Sequence, residues 1–218
     1  LHHTDNIKET FSEAITLKMT EFGRKVSYKE DAVPCFYLRF YQDRCTISLD
    51  TTGENLYKRG YKQFQGEAPI RENLAAGMIK LASKEHQIFV DPLCGSGTFG
   101  FEFLLNRLQI PVGSFRHFSF EQFPYFQEVT WGKLKSFKID HNSKIKVYLN
   151  DRSAESIAGV LKTAAFLELE NYIETKTEDM TKFLKSLKIF EPYLLLTNVP
   201  YGKRIVSEKE DTLKDFLT

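Results

Sequence analysis

The sequence has little cysteine, no metal-binding spacing and no long apolar run, and each of these absences excludes a class of protein. Its three cysteines form no C-x-x-C pair and cannot all be paired with one another, and its five histidines show no H-E-x-x-H spacing. This pattern indicates a reducing compartment and no zinc site. No apolar run approaches the roughly 18 residues of a membrane span, and no signal-peptide pattern is visible. We therefore expect a cytoplasmic protein without a bound metal or a membrane partner.

The chain also has almost no net charge. A formal charge of +1 excludes a surface that is basic throughout, so any nucleic acid must be bound by local patches. What the chain does contain is a globular composition, with 42% apolar residues and 14% aromatic residues, mostly phenylalanine. Such a composition predicts a folded core instead of a disordered tail.

The first part of the chain is predicted to be a small α+β unit. Apolar residues at helical spacing between Ile7 and Phe22 predict a helix. The β-rich runs at 35–41 and 45–50 predict a hairpin. Residues 52–66 contain three glycines and few side chains of the buried type, so we interpret them as a linker or a functional loop.

From residue 67 onwards the pattern changes to alternating helices and strands. Apolar side chains at helical spacing predict a helix that begins near Pro69, namely Ile70, Leu74, Met78 and Leu81. Strand-like segments follow at 87–91, 144–151, 172–175 and 192–198. Because the first three each lead into a helical pattern, they predict an α/β fold with a parallel sheet covered by helices.

The first chemical motif is Asp91-Pro-Leu-Cys-Gly95-Ser-Gly97-Thr-Phe-Gly100, where a strand is predicted to turn into a helix. Glycines there let the backbone approach a ligand closely, and the helix N-terminus offers free N–H groups. The glycine spacing alone equally fits a dinucleotide site and hence a nicotinamide-dependent oxidoreductase. Two features argue against a dinucleotide site. The acid Asp91 precedes the glycines, and the interval from the glycines to Asp151 far exceeds the usual ~20 residues.

If the chain were a methyltransferase, two further acids would be candidates to bind its methyl donor, S-adenosylmethionine. The glycine turn would face the methionine moiety, and Asp151 would accept hydrogen bonds from the ribose hydroxyls. Asp151 could instead cap the following helix. Asp179 would accept from the adenine amino group, with Glu178 as a competitor, or would simply be a favourable acid at a helix start.

The second motif is Asn198-Val199-Pro200-Tyr201, which ends the last predicted strand. An exocyclic amine conjugated to a base is a poor nucleophile, so a methylating site must accept its hydrogens as the nitrogen pyramidalises. The Asn side chain and the next backbone carbonyl supply two acceptors, and the Tyr ring offers a stacking face for an extruded base. Taken alone, the tetrapeptide is equally a turn.

Both motifs together resemble a known family, the THUMP-associated rRNA guanine-N2 methyltransferases, a group often labelled N6-adenine-specific DNA methylases. The residues that carry the resemblance are 91–98, Arg116-His-Phe-Ser-Phe-Glu121, 198–204 and the lead segments 47–61 and 68–76. The resemblance implies a Rossmann-like class I methyltransferase domain at 67–218, preceded by a partial THUMP-like RNA-binding segment and linker at 1–66. It also implies methyl transfer from S-adenosylmethionine to N2 of a guanine in large-subunit rRNA.

The resemblance carries site roles onto residues of this chain. The implied catalytic residues are Asn198, Val199, Pro200 and Tyr201. The implied cofactor residues are Pro69, Glu72, Asn73, Asp91, Pro92, Cys94, Gly95, Gly97, Thr98, Asp151 and Asp179. In the THUMP-like lead, phosphate contacts are expected from Lys58, Arg59 and Lys62.

The chain departs from the family pattern at three points. Val199 stands where the family usually has the first Pro of Asn-Pro-Pro-Tyr, so the rigidity of a fixed φ is lost. Ser153 replaces an acid that is often found after the second strand. A complete fold of this class has seven strands and only four are visible, so we expect a sheet that is incomplete at its C-terminal end.

Other functions remain open at this point. The same acceptor geometry serves adenine N6 in DNA or RNA, and the departures would also suit a catalytically weak RNA-binding homologue. Neither the target nucleotide nor the oligomeric state follows from the sequence.

Overall fold

A computed structural model describes residues 3–26, 35–66, 69–82, 86–140 and 143–199. Contacts divide the chain into two units, Leu1–Gly53 with Phe118–Phe126, and Glu54–His117 with Gln127–Thr218. The predicted domains 1–66 and 67–218 stay a prediction. In the described residues, no helix combines the length and the apolarity needed to cross a membrane.

The first unit contains the predicted helix and hairpin. Helix α1 (His3–Glu21) is followed by strands β1 (Phe36–Tyr41) and β2 (Arg44–Leu49), which pair antiparallel. The two residues of the turn, Gln42 and Asp43, both have positive φ, as a tight hairpin turn requires. A short 3₁₀ helix, Ser119–Gln122, joins this unit through backbone hydrogen bonds to residues 51 and 52.

The second unit is the predicted α/β fold. Its strands form one parallel sheet in the order β5-β4-β3-β6. The elements in chain order are α2 (Glu72–Ala82), β3 (Ile88–Asp91), α3 (Thr98–Arg107), α4 (Glu128–Lys135), β4 (Lys146–Asn150), α5 (Ala154–Leu167), a 3₁₀ helix (Glu170–Tyr172), β5 (Ile173–Lys176), α6 (Met180–Ser186) and β6 (Tyr193–Leu195).

Element bounds differ from the sequence prediction at two places that matter for the site. Helix α2 begins at Glu72 and not near Pro69. Strand β6 ends at Leu195, although the N–H of Leu196 still donates to the carbonyl of Val90 at 3.2 Å. Asn198 therefore lies just beyond the last rung of the ladder and not within the strand.

Helix α3 is the centre of the core. All of its residues from Thr98 to Leu105 are buried, so it is enclosed on every side and not only along one stripe. Gly100 allows this close packing, because a Cβ at that position would lie 2.9 Å from the Leu149 side chain of β4. The helix that follows the glycine motif is thereby held tightly against the sheet.

Candidate functional site

The two sequence motifs lie at the same edge of the sheet. Strands β3 and β6 are parallel neighbours, so their carboxyl ends point to one edge, the edge at which open α/β sheets bind ligands. The glycine motif follows β3, and Asn198 and Val199 follow β6 with exposed side chains. Pro200 and Tyr201 lie outside the described residues. The structure therefore brings Asn198 and the glycine turn to one side of the sheet.

The glycine turn depends on two left-handed residues. Gly95 has φ +52° and Gly97 has φ +74°, a region that side chains other than glycine disfavour. A Cβ at Gly97 would lie 2.9 Å from the Phe101 ring, whereas a Cβ at Gly95 would meet open space. Gly97 is thus fixed by packing below the turn, and Gly95 faces the space that is open to a ligand.

Asp151 connects this turn to β4. Its Oδ2 accepts from the N–H of Gly95 at 2.9 Å, and its Oδ1 accepts from the N–H of Ser153 at 2.9 Å. The helix cap that was the alternative role of Asp151 belongs to Ser153, whose Oγ accepts from the N–H of Ser156 at 3.2 Å. Because a carboxylate has about four lone-pair sites, Asp151 can accept further hydrogen bonds.

Asn150 is a structural residue of the site that the sequence analysis missed. Its side chain is fully buried, and its amide donates at 3.0 Å both to the carbonyl of Pro92 and to that of Glu178. Its Oδ1 accepts from the N–H of Glu178 at 3.2 Å. The residue therefore joins the glycine loop to the segment after β5. The available signal was an amide at the end of a strand that places Val147 and Leu149 in the core.

Asp91 lies buried beneath the turn. Its Oδ1 accepts from the N–H of Leu93 at 3.1 Å. Burial raises the pKa of Asp91 to about 7, and the nearby charge of Asp151 adds to the rise, whereas the Thr197 hydroxyl and the Leu93 N–H lower it.

The region that carries this site matches a known protein family. A family model described as "RMKL-like, methyltransferase domain" matches residues 59–215. The chain belongs to this family. A ribosomal RNA large subunit methyltransferase K/L of Psychromonas ingrahamii is 36% identical over 186 residues, which cover 82% of this chain and 25% of that protein.

Solved structures agree with the family. A "predicted N6-adenine-specific DNA methylase" from Listeria monocytogenes has a TM-score of 0.76 and 26% identity, covering 94% of this chain and 54% of that one. A methyltransferase complexed with SAH has a TM-score of 0.70 and 29% identity, again covering 94% of this chain and 54% of the other. This RMKL-like domain therefore spans about a quarter of the curated relative's length and about half of each solved chain.

Three other predicted cofactor residues of the RMKL-like domain lie in or under the turn. Pro92 and Cys94 are buried, and burial raises the pKa of the Cys94 thiol well above its usual value, so the thiol stays neutral. Thr98 is the first residue of α3, and its hydroxyl lies 3.3 Å from that of Ser96. These side chains shape the turn from within.

Asp179 has a structural role of its own. It caps α6, because its Oδ1 accepts from the N–H of Thr181 at 2.8 Å and from that of Lys182 at 3.4 Å. The neighbouring carboxylate of Glu178 pairs with Lys182 at 3.5 Å. Both acids lie beyond the carboxyl end of β5, and a contact of Asp179 with adenine stays a prediction.

The predicted residues ahead of β3 differ in exposure. Pro69 is half-buried, Asn73 is exposed, and Glu72 is buried as the first residue of α2. The carboxylate of Glu72 pairs with the Nζ of Lys62 at 3.0 Å. The role of these three residues near a cofactor stays a prediction.

The three predicted phosphate contacts are not equivalent. Lys58 is exposed and pairs with Glu54 at the surface. Arg59 and Lys62 have side chains that are only 13% exposed, and both pair with buried carboxylates, Arg59 with Glu102 and Lys62 with Glu72. Their role in RNA binding stays a prediction, but only Lys58 presents its charge openly to solvent.

Proposed function

We propose that this chain is the cofactor-binding part of a methyltransferase that transfers a methyl group from S-adenosylmethionine to N2 of a guanine in large-subunit rRNA. The observation that carries the proposal is the position of Asn198 and the glycine turn at one edge of the sheet. The name of the Psychromonas relative supports the RNA substrate, and the relative complexed with SAH supports the cofactor.

The residues present fit such a cofactor. The open space at Gly95 lies beside a carboxylate, Asp151, that retains free lone pairs. In the proposal, the turn at Gly95 and Gly97 receives the methionine moiety, Asp151 accepts from the ribose hydroxyls, and Asp179 accepts from the adenine amine. S-adenosylmethionine supplies an electrophilic methyl group when bound.

Asn198 would prepare the target amine. Its side-chain carbonyl and the backbone carbonyl of Val199 accept the two hydrogens of the amine, so the nitrogen lone pair turns out of conjugation with the base. Tyr201 would stack against the extruded base, a contact worth ~1–3 kcal/mol. Because Val199 contributes only a backbone carbonyl, the absence of the family's proline leaves both acceptors in place.

RNA recognition is proposed for the lead segment. Residues 1–66 would form part of a THUMP-like RNA-binding region, with the exposed Lys58 as its proposed phosphate contact. The second candidate function is methylation of adenine N6, which the description of the Listeria relative favours.

One assay separates the two targets. The protein is incubated with labelled S-adenosylmethionine and either unmodified large-subunit rRNA or duplex DNA, and the product is digested to nucleosides. Label in N2-methylguanosine from rRNA supports the proposal, and label in N6-methyladenine moves the chain to the second candidate. Absence of label together with no S-adenosylmethionine binding by isothermal titration contradicts both.

A further inference from the structure

A buried polar cluster lies between the loop at residues 59–62 and the helix that follows the glycine turn. The hydroxyl of Tyr61 donates to Oε1 of Glu102 at 2.9 Å, and the guanidinium of Arg59 reaches both carboxylate oxygens of Glu102 at 3.4 Å. The side chain of Glu102 is 1% exposed and Tyr61 is completely buried. None of these contacts takes part in the proposed methyl transfer.

Stability alone does not account for this cluster. Desolvating a carboxylate and a guanidinium costs about as much as their attraction returns, and apolar residues of similar volume often do as well. Burial raises the pKa of Glu102, whereas Arg59 and Tyr61 lower it. What a buried pair does supply is a unique arrangement, because moving either partner leaves an uncompensated charge in the core.

Glu102 is placed to set the position of the glycine turn. It lies one helical turn after Thr98, the first residue of α3, and therefore on the same face. Between them, the Phe101 ring would be only 2.9 Å from a Cβ at Gly97. Because the Phe101 ring leaves no room beside Gly97 for even a methyl group, and the N–H of Phe101 donates to the carbonyl of Gly97 at 3.0 Å, a shift of α3 at Glu102 would be passed directly to the turn.

The loop itself is seated rigidly from its other side. Gly60 has φ +84°, and a Cβ there would lie 2.1 Å from the carbonyl oxygen of Phe115. The buried guanidinium of Arg116 donates to the carbonyls of Asn55 and Lys58 at 2.8 and 3.0 Å. Arg116 belongs to a motif that the proposed function leaves without a role, and here it holds the loop that carries Arg59.

The same loop also reaches the second helix beside the turn. Lys62 pairs with Glu72, the first residue of α2, at 3.0 Å, and both side chains are largely buried. Two cations of one short loop therefore neutralise two buried acids on α2 and α3. This arrangement uses the charges of Arg59 and Lys62 inside the protein.

We propose that Glu102, held by Arg59 and Tyr61, is a positioning residue that fixes the start of α3 and thereby the glycine turn. The consequence for cofactor binding rests on the proposed function, whereas the consequence for the turn does not. Arg59 then acts through Glu102 on the S-adenosylmethionine site and makes no phosphate contact.

The test compares a buried cation with an exposed one. Arg59→Met removes the buried partner of Glu102, and Lys162→Met removes an exposed charge from α5 as the matched control. We expect Arg59→Met to raise the KM for S-adenosylmethionine about tenfold, with the KM for RNA and the kcat at saturating cofactor unchanged. Lys162→Met should leave the KM for S-adenosylmethionine unchanged. A merely structural role would lower the active fraction, and so kcat, without moving this KM.

A double variant provides a rescue. Glu102→Gln combined with Arg59→Met removes the uncompensated charge but keeps an acceptor for Tyr61, so it should recover most of the lost affinity. This pair also keeps the test usable where Arg59→Met does not fold. An unchanged KM for S-adenosylmethionine with a raised KM for RNA in Arg59→Met would overturn the proposal in favour of a phosphate contact.

Hydrogen exchange of the cofactor-free protein separates this proposal from the proposed function. In Arg59→Met the amides of Gly97 and Phe101, which donate within the turn and the first turn of α3, should exchange faster than in the parent, and in the double variant they should return towards it. Unchanged protection would sink the positioning role even where the parent binds S-adenosylmethionine. If the parent binds no S-adenosylmethionine and these amides still exchange faster in Arg59→Met than in the parent, the positioning role is supported while the proposed function fails.

Discussion

The carboxylate of Asp151 accepts a hydrogen bond from the backbone N–H of Gly95, with 2.9 Å between Oδ2 and N. One side chain at the end of β4 thereby holds the turn that follows β3. The backbone adds a second link nearby, since the N–H of Cys94 donates to the carbonyl of Asn150 at 2.8 Å. The two parts of the proposed cofactor site are therefore a single hydrogen-bonded unit, and a change at Asp151 should affect both.

Asp151→Ala should weaken S-adenosylmethionine binding by about 1.5–3 kcal/mol, because it removes a charged acceptor and frees the turn at Gly95. Isothermal titration measures the change in Kd directly. The matched control is Glu155→Ala, which removes an exposed acid from the first turn of α5. An unchanged Kd in a folded Asp151→Ala protein would remove this residue from the cofactor site.

Gly97→Ala should destabilise the fold by about 2–4 kcal/mol. The alanine must adopt the left-handed backbone conformation at φ +74°, and its Cβ would lie 2.9 Å from the Phe101 ring. Gly77→Ala is the matched control. It lies within α2, where a Cβ meets no atom within 4 Å, so it should stabilise by about 0.5–1 kcal/mol. Urea unfolding compares the two variants, and equal effects would contradict this account of the turn.

The fold could be predicted from the sequence because its signals are local. Strand and helix periodicities gave the parallel sheet, and Gly95 and Gly97 marked a turn that only glycine adopts easily. Once β3 and β6 were predicted to be parallel strands of one sheet, their motifs had to reach the same edge.

The buried face of α2 could not be predicted in the same way. Leu74 and Leu81 were expected to define the helix, yet they are 55% and 84% exposed, and the buried residues are Glu72, Ala75 and Ile79. An acid on the buried face depends on Lys62, a partner from outside the helix. The role of Asn150 could not be predicted for the same reason, since its partners Pro92 and Glu178 are distant along the chain.

Asp91 should make the stability of the protein depend on pH. Its pKa of about 7 in the folded state lies above the usual value of 3.8, so the folded state holds its proton where the unfolded chain has lost it. The free energy of unfolding should therefore fall as pH rises between about 4 and 7, by on the order of 1 kcal/mol per pH unit. Above the folded pKa this loss is complete.

Asp91→Asn should remove this slope, because the amide stays neutral and can still accept from the N–H of Leu93. Urea unfolding at pH 5 and pH 8 measures the free energy of unfolding of both proteins. Between these pH values the parent should lose more stability than the variant. Parallel pH profiles for the two proteins would show that Asp91 does not titrate in this range.

Asn198→Ala should lower the rate of methyl transfer about a hundredfold or more while leaving the Kd for S-adenosylmethionine nearly unchanged. The reason is geometric, because Asn198 follows β6 with an exposed side chain, whereas the groups proposed to hold the cofactor follow β3, β4 and β5. Asn198→Asp is the matched variant, since a carboxylate still accepts hydrogens from the amine and should retain part of the rate. Single-turnover transfer with saturating cofactor isolates the chemical step from binding. A full rate in Asn198→Ala would mean that other groups accept the hydrogens of the target amine. A parallel loss of cofactor affinity would mean that Asn198 also takes part in cofactor binding.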